Sequence, residues 1–308
     1  MDSASVRSQV QRGIRFLRVR FSKIESTLKG KVLSILPAPA HMGRVPLRNK
    51  YFDPEDLAMY RKQTWELVRF DSDLRAKALD RYTRRQRAWE YATFLSWYPS
   101  LQGLRILDIG PGASTFSLFL AQNGASVTTL DLPEPFQNRK AIFQRAASQN
   151  MRHCHGTMLS LPFATGAFDV ALSVSAIEHL QQYPSDPFQA RPYEPFVQDT
   201  RCTLREMARV VARGGAIYLT TDSYDPQLQK GDAWWRHGDE VACAYSEQDV
   251  EKVFIDELRS RGFEFMGDWS YDFGVVRRDP RRANFRGRYI STWALLMRKV
   301  GGGSEKTP

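Results

Sequence analysis

The spacing of apolar residues near the amino terminus predicts an amphipathic helix over residues 10–28. Its apolar stripe recurs at steps of three and four and consists of Val10, Ile14, Leu17, Phe21, Ile24 and Leu28. Gly30 follows as a stop signal, and prolines beyond it indicate an irregular connector. A second helical pattern covers residues 71–97.

Beyond residue 104, short apolar runs alternate with amphipathic stretches. The runs predict seven strands, over residues 104–109, 125–130, 151–155, 168–173, 216–221, 263–269 and 289–298. The amphipathic stretches predict helices over residues 114–122, 135–149, 196–212 and 246–261, the last opened by an imperfect capping box of Ser246 and Asp249. Alternation with short connections is typical of the α/β class, here a doubly wound, seven-stranded, mostly parallel sheet with a basic helical amino-terminal extension.

Charge divides the chain at about the same place. Residues 1–100 hold 20 Lys and Arg against 10 Asp and Glu, whereas residues 101–308 hold 24 of each, so the surplus that makes the net charge +10 lies in the first third. We therefore expect three parts: a basic helical extension and connector over residues 1–84, the α/β domain over residues 85–300, and a flexible tail over residues 301–308.

Composition excludes several classes of protein. Hydrophobic residues make up 42% and charged residues 25%, which is typical of a soluble globular protein. No apolar run approaches the roughly 20 residues that span a bilayer, and the first residues lack the apolar core of a signal peptide. Three cysteines without a C-x-x-C spacing favour the reducing cytoplasm over a disulfide framework.

The strand–loop–helix at residues 107–114 indicates a nucleotide site. Gly110 and Gly112 permit unusual backbone angles and leave room for a ligand, and the following helix start favours an anionic group. Asp131 ends the next strand, 21 residues after Gly110, where its carboxylate could accept hydrogen bonds from both ribose hydroxyls. A dinucleotide fold shares these features, but Thr115 stands where its fingerprint requires a third glycine, and Pro111 lacks an N–H for a pyrophosphate.

The sequence Leu107-Asp108-Ile109-Gly110-Pro111-Gly112 resembles the first motif of class I S-adenosylmethionine-dependent methyltransferases, of the type 11 and ubiquinone-biosynthesis-like kind. The resemblance continues, in the expected order and at the expected separations, through Leu161-Pro162-Phe163 and the segments 168–173, 176–180 and 205–211. It covers about residues 85–298 and is strongest over residues 104–221. No single motif is specific, but the five together are.

The resemblance implies S-adenosyl-L-methionine as the cofactor and assigns residues to it. Asp108 and the backbone at Gly110 and Gly112 would hold the methionine part, Asp131 the ribose, and Leu132 would lie against adenine. Many relatives bind the adenine amino group through an aspartate, but this chain has Gly156-Thr157-Met158 there. The Thr157 hydroxyl and the Met158 N–H would then make weaker contacts. Asp108 has an alternative role as a carboxylate that only braces its loop.

Methyl transfer needs a base only when the acceptor carries a proton, as a hydroxyl does. His179 follows the fourth predicted strand on the ligand side, so it is the expected catalytic base, with Glu178 and His237 as further candidates and a structural histidine as the alternative. The irregular stretches 181–195 and 222–245 are expected to build the acceptor pocket, because both follow strand ends.

The function expected from these features is methyl transfer to a small-molecule, lipid-linked or glycan acceptor at oxygen. The alternative is a nucleic-acid-binding protein or an RNA methyltransferase on a degenerate fold, supported only by the basic first third. Alternation places His153 and His155 on one strand face, but no further ligand pair completes a site, and no metal is expected. Six arginines between residues 277 and 288 suit either an acidic acceptor or a solvated loop.

The apolar stripe of the amino-terminal helix leaves two partners open. It could dock on the α/β domain or on a second subunit, giving a homodimer, while its arginines stay in water. It could instead lie on an anionic lipid surface, which would place the protein at the inner face of the membrane as a peripheral contact.

Overall fold

The computed structural model describes residues 48–50, 63, 66–67, 70, 86–112, 114–133, 150–182, 193–224, 234–237, 240–270, 284–285 and 288–300. Several sequence predictions lie outside these residues: the stripe over 10–28, the helix over 135–149, most of the arginine-rich segment and the tail. Membrane contact and a homodimer therefore stay predictions. Among the described residues, no helix combines the length and the apolar character that crossing a bilayer requires.

Thirteen strands are described, and nine of them belong to the main sheet. In chain order they are β1 (Arg48–Lys50), β2 (Arg105–Ile109), β3 (Ser126–Asp131), β4 (Met151–His155), β5 (Phe168–Val174), β6 (Val211–Tyr224), β7 (Trp234–His237), β8 (Glu240–Cys243), β9 (Tyr245–Ser246), β10 (Phe263–Phe265), β11 (Asp268–Ser270), β12 (Asn284–Phe285) and β13 (Arg288–Lys299). Seven of these nine lie side by side in the order β10-β13-β6-β5-β2-β3-β4, while β9 pairs with β6 and β12 pairs with β13. Only β13 runs antiparallel to its neighbours, so the predicted mostly parallel sheet of seven strands is confirmed.

Helices cover both faces of this sheet. They are α1 (Gln86–Trp97), α2 (Phe116–Gln122), α3 (Tyr193–Val210) and α4, which combines Glu247–Asp249, a π-helical turn over Val250–Ile255, and Asp256–Ser260. Ile106 of β2 packs in a core with α1 and α2, whereas Leu107 and Ile109 pack in a second core with α3 and α4. Alternate strand residues point to opposite faces of the sheet, so neighbouring apolar residues of one strand enter different cores.

Several boundaries differ from the sequence prediction. The run over residues 263–269 forms two strands rather than one, because Gly267 has a φ of +71° between them. The second of these, β11, leaves the main sheet and pairs with β1. The stretch over residues 222–245 is only partly irregular, since β7 and β8 form an antiparallel hairpin within it. The capping box is confirmed: the Ser246 hydroxyl accepts a hydrogen bond from the Asp249 N–H at 3.2 Å, and the Asp249 carboxylate accepts one from the Ser246 N–H at 2.9 Å.

An ion pair on α3 fixes the loop that follows β4. Arg209 donates hydrogen bonds to the carbonyls of Leu161 at 2.9 Å and of Phe163 at 2.7 Å. Glu206 lies 2.7 Å from Arg209 and accepts a hydrogen bond from the Leu161 N–H at 2.7 Å. The hydrogen bond from Arg209 lowers the pKa of Glu206. Two of the sequence motifs, separated by more than 40 residues, are thus one structural unit.

Replacing Arg209 by Met should lower the free energy of unfolding by about 1–3 kcal/mol, because two carbonyls lose their charged donor. Arg205→Met is the matched control: Arg205 is on the same helix and pairs with Glu257 at 2.8 Å, but half of its side chain is exposed. We expect a loss of under about 1 kcal/mol there. Urea denaturation measures both, and equal losses would contradict the prediction. Because the carboxylate of Glu206 favours the folded state, the effect of Arg209→Met should shrink as the pH falls from the ordinary value of 4.5 through the lowered pKa.

Candidate functional site

The site lies where the order of the parallel strands reverses. From β2 the chain moves outward to β3 and β4, and it then returns to the other side of β2 to continue through β5 and β6. In open α/β sheets such a reversal leaves a crevice at the carboxyl ends of the strands, and ligands bind there. The loops after β2, β3, β4 and β5 therefore surround one position.

The loop after β2 approaches the turn after β5 too closely for a side chain at Gly110. Gly110 has a φ of +67°, and a Cβ atom on it would lie 2.7 Å from the Cβ of Ala176 and 3.7 Å from the Cε of Met158. The Gly110 N–H donates to the Leu130 carbonyl at 2.8 Å, which holds the loop against β3. Glycine at this position thus permits both the positive φ and the close approach to Ala176.

Asp131 connects the loop after β2 to the end of β3. Its side chain is largely buried, and its carboxylate accepts hydrogen bonds from the Gly112 N–H at 3.1 Å and from the Leu132 N–H at 2.9 Å. A carboxylate has about four lone-pair sites, so further donors such as ribose hydroxyls can be accommodated. The structure therefore brings together Gly110, Gly112, Asp131 and Leu132, as the sequence predicts.

Asp108 lies beneath this loop. Its side chain is only 3% exposed, and its carboxylate accepts a hydrogen bond from the Ser117 hydroxyl of α2 at 2.5 Å. This contact suits the alternative role of a carboxylate that braces the loop. A contact between Asp108 and the cofactor stays a prediction.

The loop after β4 forms the next side of the crevice. The Thr157 hydroxyl accepts a hydrogen bond from the Leu159 N–H at 3.2 Å, which closes a tight turn. The half-buried Met158 reaches the neighbourhood of Gly110. Thr157 and Met158 are therefore close to the glycine loop, and the Glu206–Arg209 pair holds the chain directly after them.

The turn after β5 has an unusual backbone conformation. Ser175 is the only described residue other than glycine with a positive φ, +42°. Such a conformation costs on the order of 1–3 kcal/mol and persists only where surrounding contacts hold it. A 3₁₀-helix over Ile177–Gln182 follows and carries the half-buried His179. The β7–β8 hairpin packs against this 3₁₀-helix, so the second predicted acceptor stretch covers the turn. The side chains of Trp234, Trp235 and His237 lie outside the described part.

Two acidic side chains beside this turn, one buried and one half-buried, were only partly anticipated from the sequence. Glu178 is 3% exposed and accepts a hydrogen bond from the Thr221 hydroxyl at 2.8 Å. Asp222, at the end of β6, accepts one from the Thr292 hydroxyl at 2.5 Å. Burial raises the pKa of Glu178, and burial together with the charge of Glu178 raises the pKa of Asp222. Carboxyl groups with raised pKa values can exchange protons near neutral pH.

The paired histidines of β4 lie at the edge of the sheet. Their rings are 4.6 Å apart, which confirms that they share one strand face. Nδ1 of His153 lies 2.8 Å from the Thr129 hydroxyl, and its Nε2 lies 3.3 Å from Nδ1 of His155. The described residues contain no group of three or more His, Cys, Asp or Glu side chains placed to hold a metal ion.

Comparison with known proteins places residues 107–219 in a family described as "Methyltransferase domain". The malonyl-[acyl-carrier protein] O-methyltransferase of Pectobacterium atrosepticum is 26% identical over 161 residues, which cover 52% of this chain and 55% of that protein. The ubiquinone biosynthesis O-methyltransferase of Caulobacter vibrioides is 29% identical over 174 residues, which cover 55% of this chain and 52% of the relative. The chain thus spans about half the length of the curated relatives that it matches.

Solved structures with a similar arrangement include a 1,6-didemethyltoxoflavin-N1-methyltransferase from Burkholderia thailandensis, which was crystallised with S-adenosylhomocysteine. It is 16% identical, has a TM-score of 0.47, and aligns with 81% of this chain and 91% of its own. A Listeria monocytogenes protein described as a putative S-adenosylmethionine-dependent methyltransferase is 13% identical, with a TM-score of 0.49, over 70% of this chain and all of its own.

Replacing Gly110 by Val should abolish binding of S-adenosylhomocysteine, because the side chain would collide with Ala176 and strain the loop. Gly103→Ala is the control: Gly103 also has a positive φ, +77°, but a Cβ there would meet nothing within 4 Å. Isothermal titration should show binding in the wild type and in Gly103→Ala only. A folded Gly110→Val protein with unchanged affinity would show that the ligand does not use this loop.

Proposed function

We propose that this chain, whose residues 107–219 match the methyltransferase-domain family, is a class I S-adenosylmethionine-dependent methyltransferase that transfers a methyl group from S-adenosyl-L-methionine to an acceptor oxygen. The observation that carries the proposal is the Asp131 carboxylate, which is hydrogen-bonded to the glycine loop at the reversal of strand order. The acceptor class is a small molecule, a lipid-linked intermediate or a glycan. Two of the curated relatives are O-methyltransferases, which supports oxygen as the acceptor atom.

The residues present fit the cofactor because the Asp131 carboxylate, held against the glycine loop by the Gly112 N–H, has lone pairs left for ribose hydroxyls. Asp131 would accept hydrogen bonds from the ribose hydroxyls, and Leu132 would lie against the adenine ring. The Thr157 hydroxyl and the Met158 N–H would face the same ring. Asp108 and the loop backbone would hold the methionine part. When bound, the cofactor supplies a methyl group on a positively charged sulfur.

The residues of this chain would then align the acceptor with the methyl group and remove the proton from the acceptor hydroxyl. In-line placement of the acceptor and exclusion of water provide most of the rate, since the leaving group is already cationic. The β7–β8 hairpin, packed on the 3₁₀-helix, supports the exclusion of water. His179 would accept the hydroxyl proton as the oxygen attacks the methyl group.

A nucleic-acid acceptor is the weaker candidate. Its support is the basic first third of the chain, most of which lies outside the described residues. No RNA-reading motif accompanies those charges. A dinucleotide oxidoreductase, the other reading of the glycine loop, does not agree with the family match.

Replacing Asp131 by Ala should weaken S-adenosylhomocysteine binding roughly 10- to 100-fold, because hydrogen bonds to a charged acceptor are lost. Asp256→Asn, on the exposed side of α4, is the control and should leave the affinity unchanged. Titration of the wild type with NADH in parallel distinguishes a methyltransferase from a dinucleotide oxidoreductase. Binding of NADH in place of S-adenosylhomocysteine would overturn the proposed function.

Replacing His179 by Ala should lower methyl transfer about 10²-fold or more while leaving cofactor affinity nearly intact. The measurement is incorporation of labelled methyl groups into a cell extract, followed by mass spectrometry of the product, which also identifies the acceptor. His153→Ala, on the edge strand β4, is the matched control. An unchanged rate in His179→Ala would return this residue to a structural role.

A further inference from the structure

Helix α1 precedes the family match at residues 107–219, yet it places a buried carboxylate between two strands of the site. Glu90 is 0% exposed. Its Oε1 accepts hydrogen bonds from the Ser175 hydroxyl at 2.6 Å and from the Thr220 hydroxyl at 2.7 Å. One oxygen atom therefore joins the end of β5 to β6 and attaches both to α1.

The other contacts of Glu90 hold it in this position. Its Oε2 lies 3.1 Å from Nη1 of Arg87, which also donates to the Val174 carbonyl at 3.1 Å. Its main-chain carbonyl accepts a hydrogen bond from the Tyr218 hydroxyl at 2.6 Å. A buried carboxyl group is costly unless it has polar partners, and here Oε1 accepts two hydrogen bonds while Oε2 lies beside the Arg87 guanidinium.

The strand end that Glu90 holds is the one with the unfavourable backbone. Ser175 has a φ of +42°, and its N–H donates to the Thr220 carbonyl at 2.9 Å. The next residue, Ala176, occupies the space beside Gly110, and His179 follows three residues later. The conformation of Ser175 thus sets where the glycine loop meets the turn and where the 3₁₀-helix that carries His179 begins.

We propose that Glu90 is a positioning residue of the methyl-transfer site: through Ser175 and Thr220 it holds the turn over residues 175–179 in the conformation that closes the cofactor crevice and presents His179. The role depends on the hydrogen bonds and not on the volume of the side chain, because a residue of similar size without acceptor oxygens would take away the acceptor that the Ser175 and Thr220 hydroxyls share. The effect of Glu90 on methyl transfer rests on the proposed function. Its effect on the conformation of the turn over residues 175–179 does not.

The test compares four variants. Glu90→Leu keeps the volume and removes both acceptor oxygens, so it should weaken S-adenosylhomocysteine binding about 10-fold or more. Glu90→Gln keeps an amide oxygen that can accept both hydroxyl hydrogen bonds, so it should restore most of the affinity. Thr200→Val is the matched control for core damage, since the buried Thr200 hydroxyl lies 2.8 Å from the Tyr245 hydroxyl on the other face of the sheet. It should lower the melting temperature without changing the affinity.

The fourth variant asks whether Glu90 acts through the turn. Glycine adopts a positive φ without strain, so Ser175→Gly should reduce the dependence of the turn on the carboxylate. In the Ser175→Gly background, Glu90→Leu should change the affinity less than about 3-fold. This non-additivity is the expected sign of a shared mechanism. An equal loss in both backgrounds, or the same loss in Thr200→Val, would reduce Glu90 to a contributor to stability and overturn the proposal.

Hydrogen–deuterium exchange without any ligand separates this proposal from the proposed function. Glu90→Leu should raise exchange at the amides of residues 175–180, and Glu90→Gln and Thr200→Val should not. If Glu90→Leu fails to fold, the same measurement on Ser175→Ala decides the question, because this variant removes one of the two donors to Glu90 and leaves the Thr220 hydroxyl in place. Unchanged exchange at the turn would overturn the proposal. A wild-type protein that shows the expected exchange pattern but binds no S-adenosylhomocysteine would instead contradict the proposed function.

Discussion

The contact between the loop after β2 and the turn after β5 constrains the rest of the site. A Cβ atom at Gly110 would lie 2.7 Å from the Cβ of Ala176, closer than such atoms approach in proteins. The two chain segments can meet only if the first has no side chain at this point and the second turns sharply. Gly110 meets the first requirement, and the left-handed Ser175 meets the second. The hydrogen bonds of Asp131 and Glu90 then fix each segment from its outer side.

The sequence contains enough information to predict the sheet and the cofactor half of the site. Short apolar runs and short connections are local signals, and they identify the strands of the main sheet. Gly110 and Asp131 follow from strand ends at a fixed spacing. The split of the run over residues 263–269 depends on Gly267 and on pairing with β1, more than 200 residues away, so local pattern could not reveal it.

Glu90 and Arg87 were missed for a related reason. Their spacing of three residues on a helix is typical of a solvated ion pair, and only the packing of α1 over the strand ends buries it. A charged pair within an otherwise apolar helical stretch, flanked here by Trp89 and Tyr91, is the signal that could have marked it.

Buried acids also oppose stability. Because burial raises the pKa of Glu178, ionisation of this carboxyl group lowers the free energy of unfolding as the pH rises from the ordinary value of 4.5 through the raised pKa. This cost is consistent with a role at the site.

The location of α1 has a consequence for how this architecture could be recombined. Residues 107–219, which match the family model, contain the loops of the crevice. Contacts to both sides of the crevice come from the helix before them: from Glu90 to Ser175, and from Tyr91, whose hydroxyl lies 2.6 Å from that of Ser114. A chimera that took only the segment 107–219 from a relative would therefore combine the relative's loops with the α1 helix of this chain, whose contacts are made to its own loops. Inheritance of the site is then expected to proceed by the unit that begins at α1, with the two parts changing together.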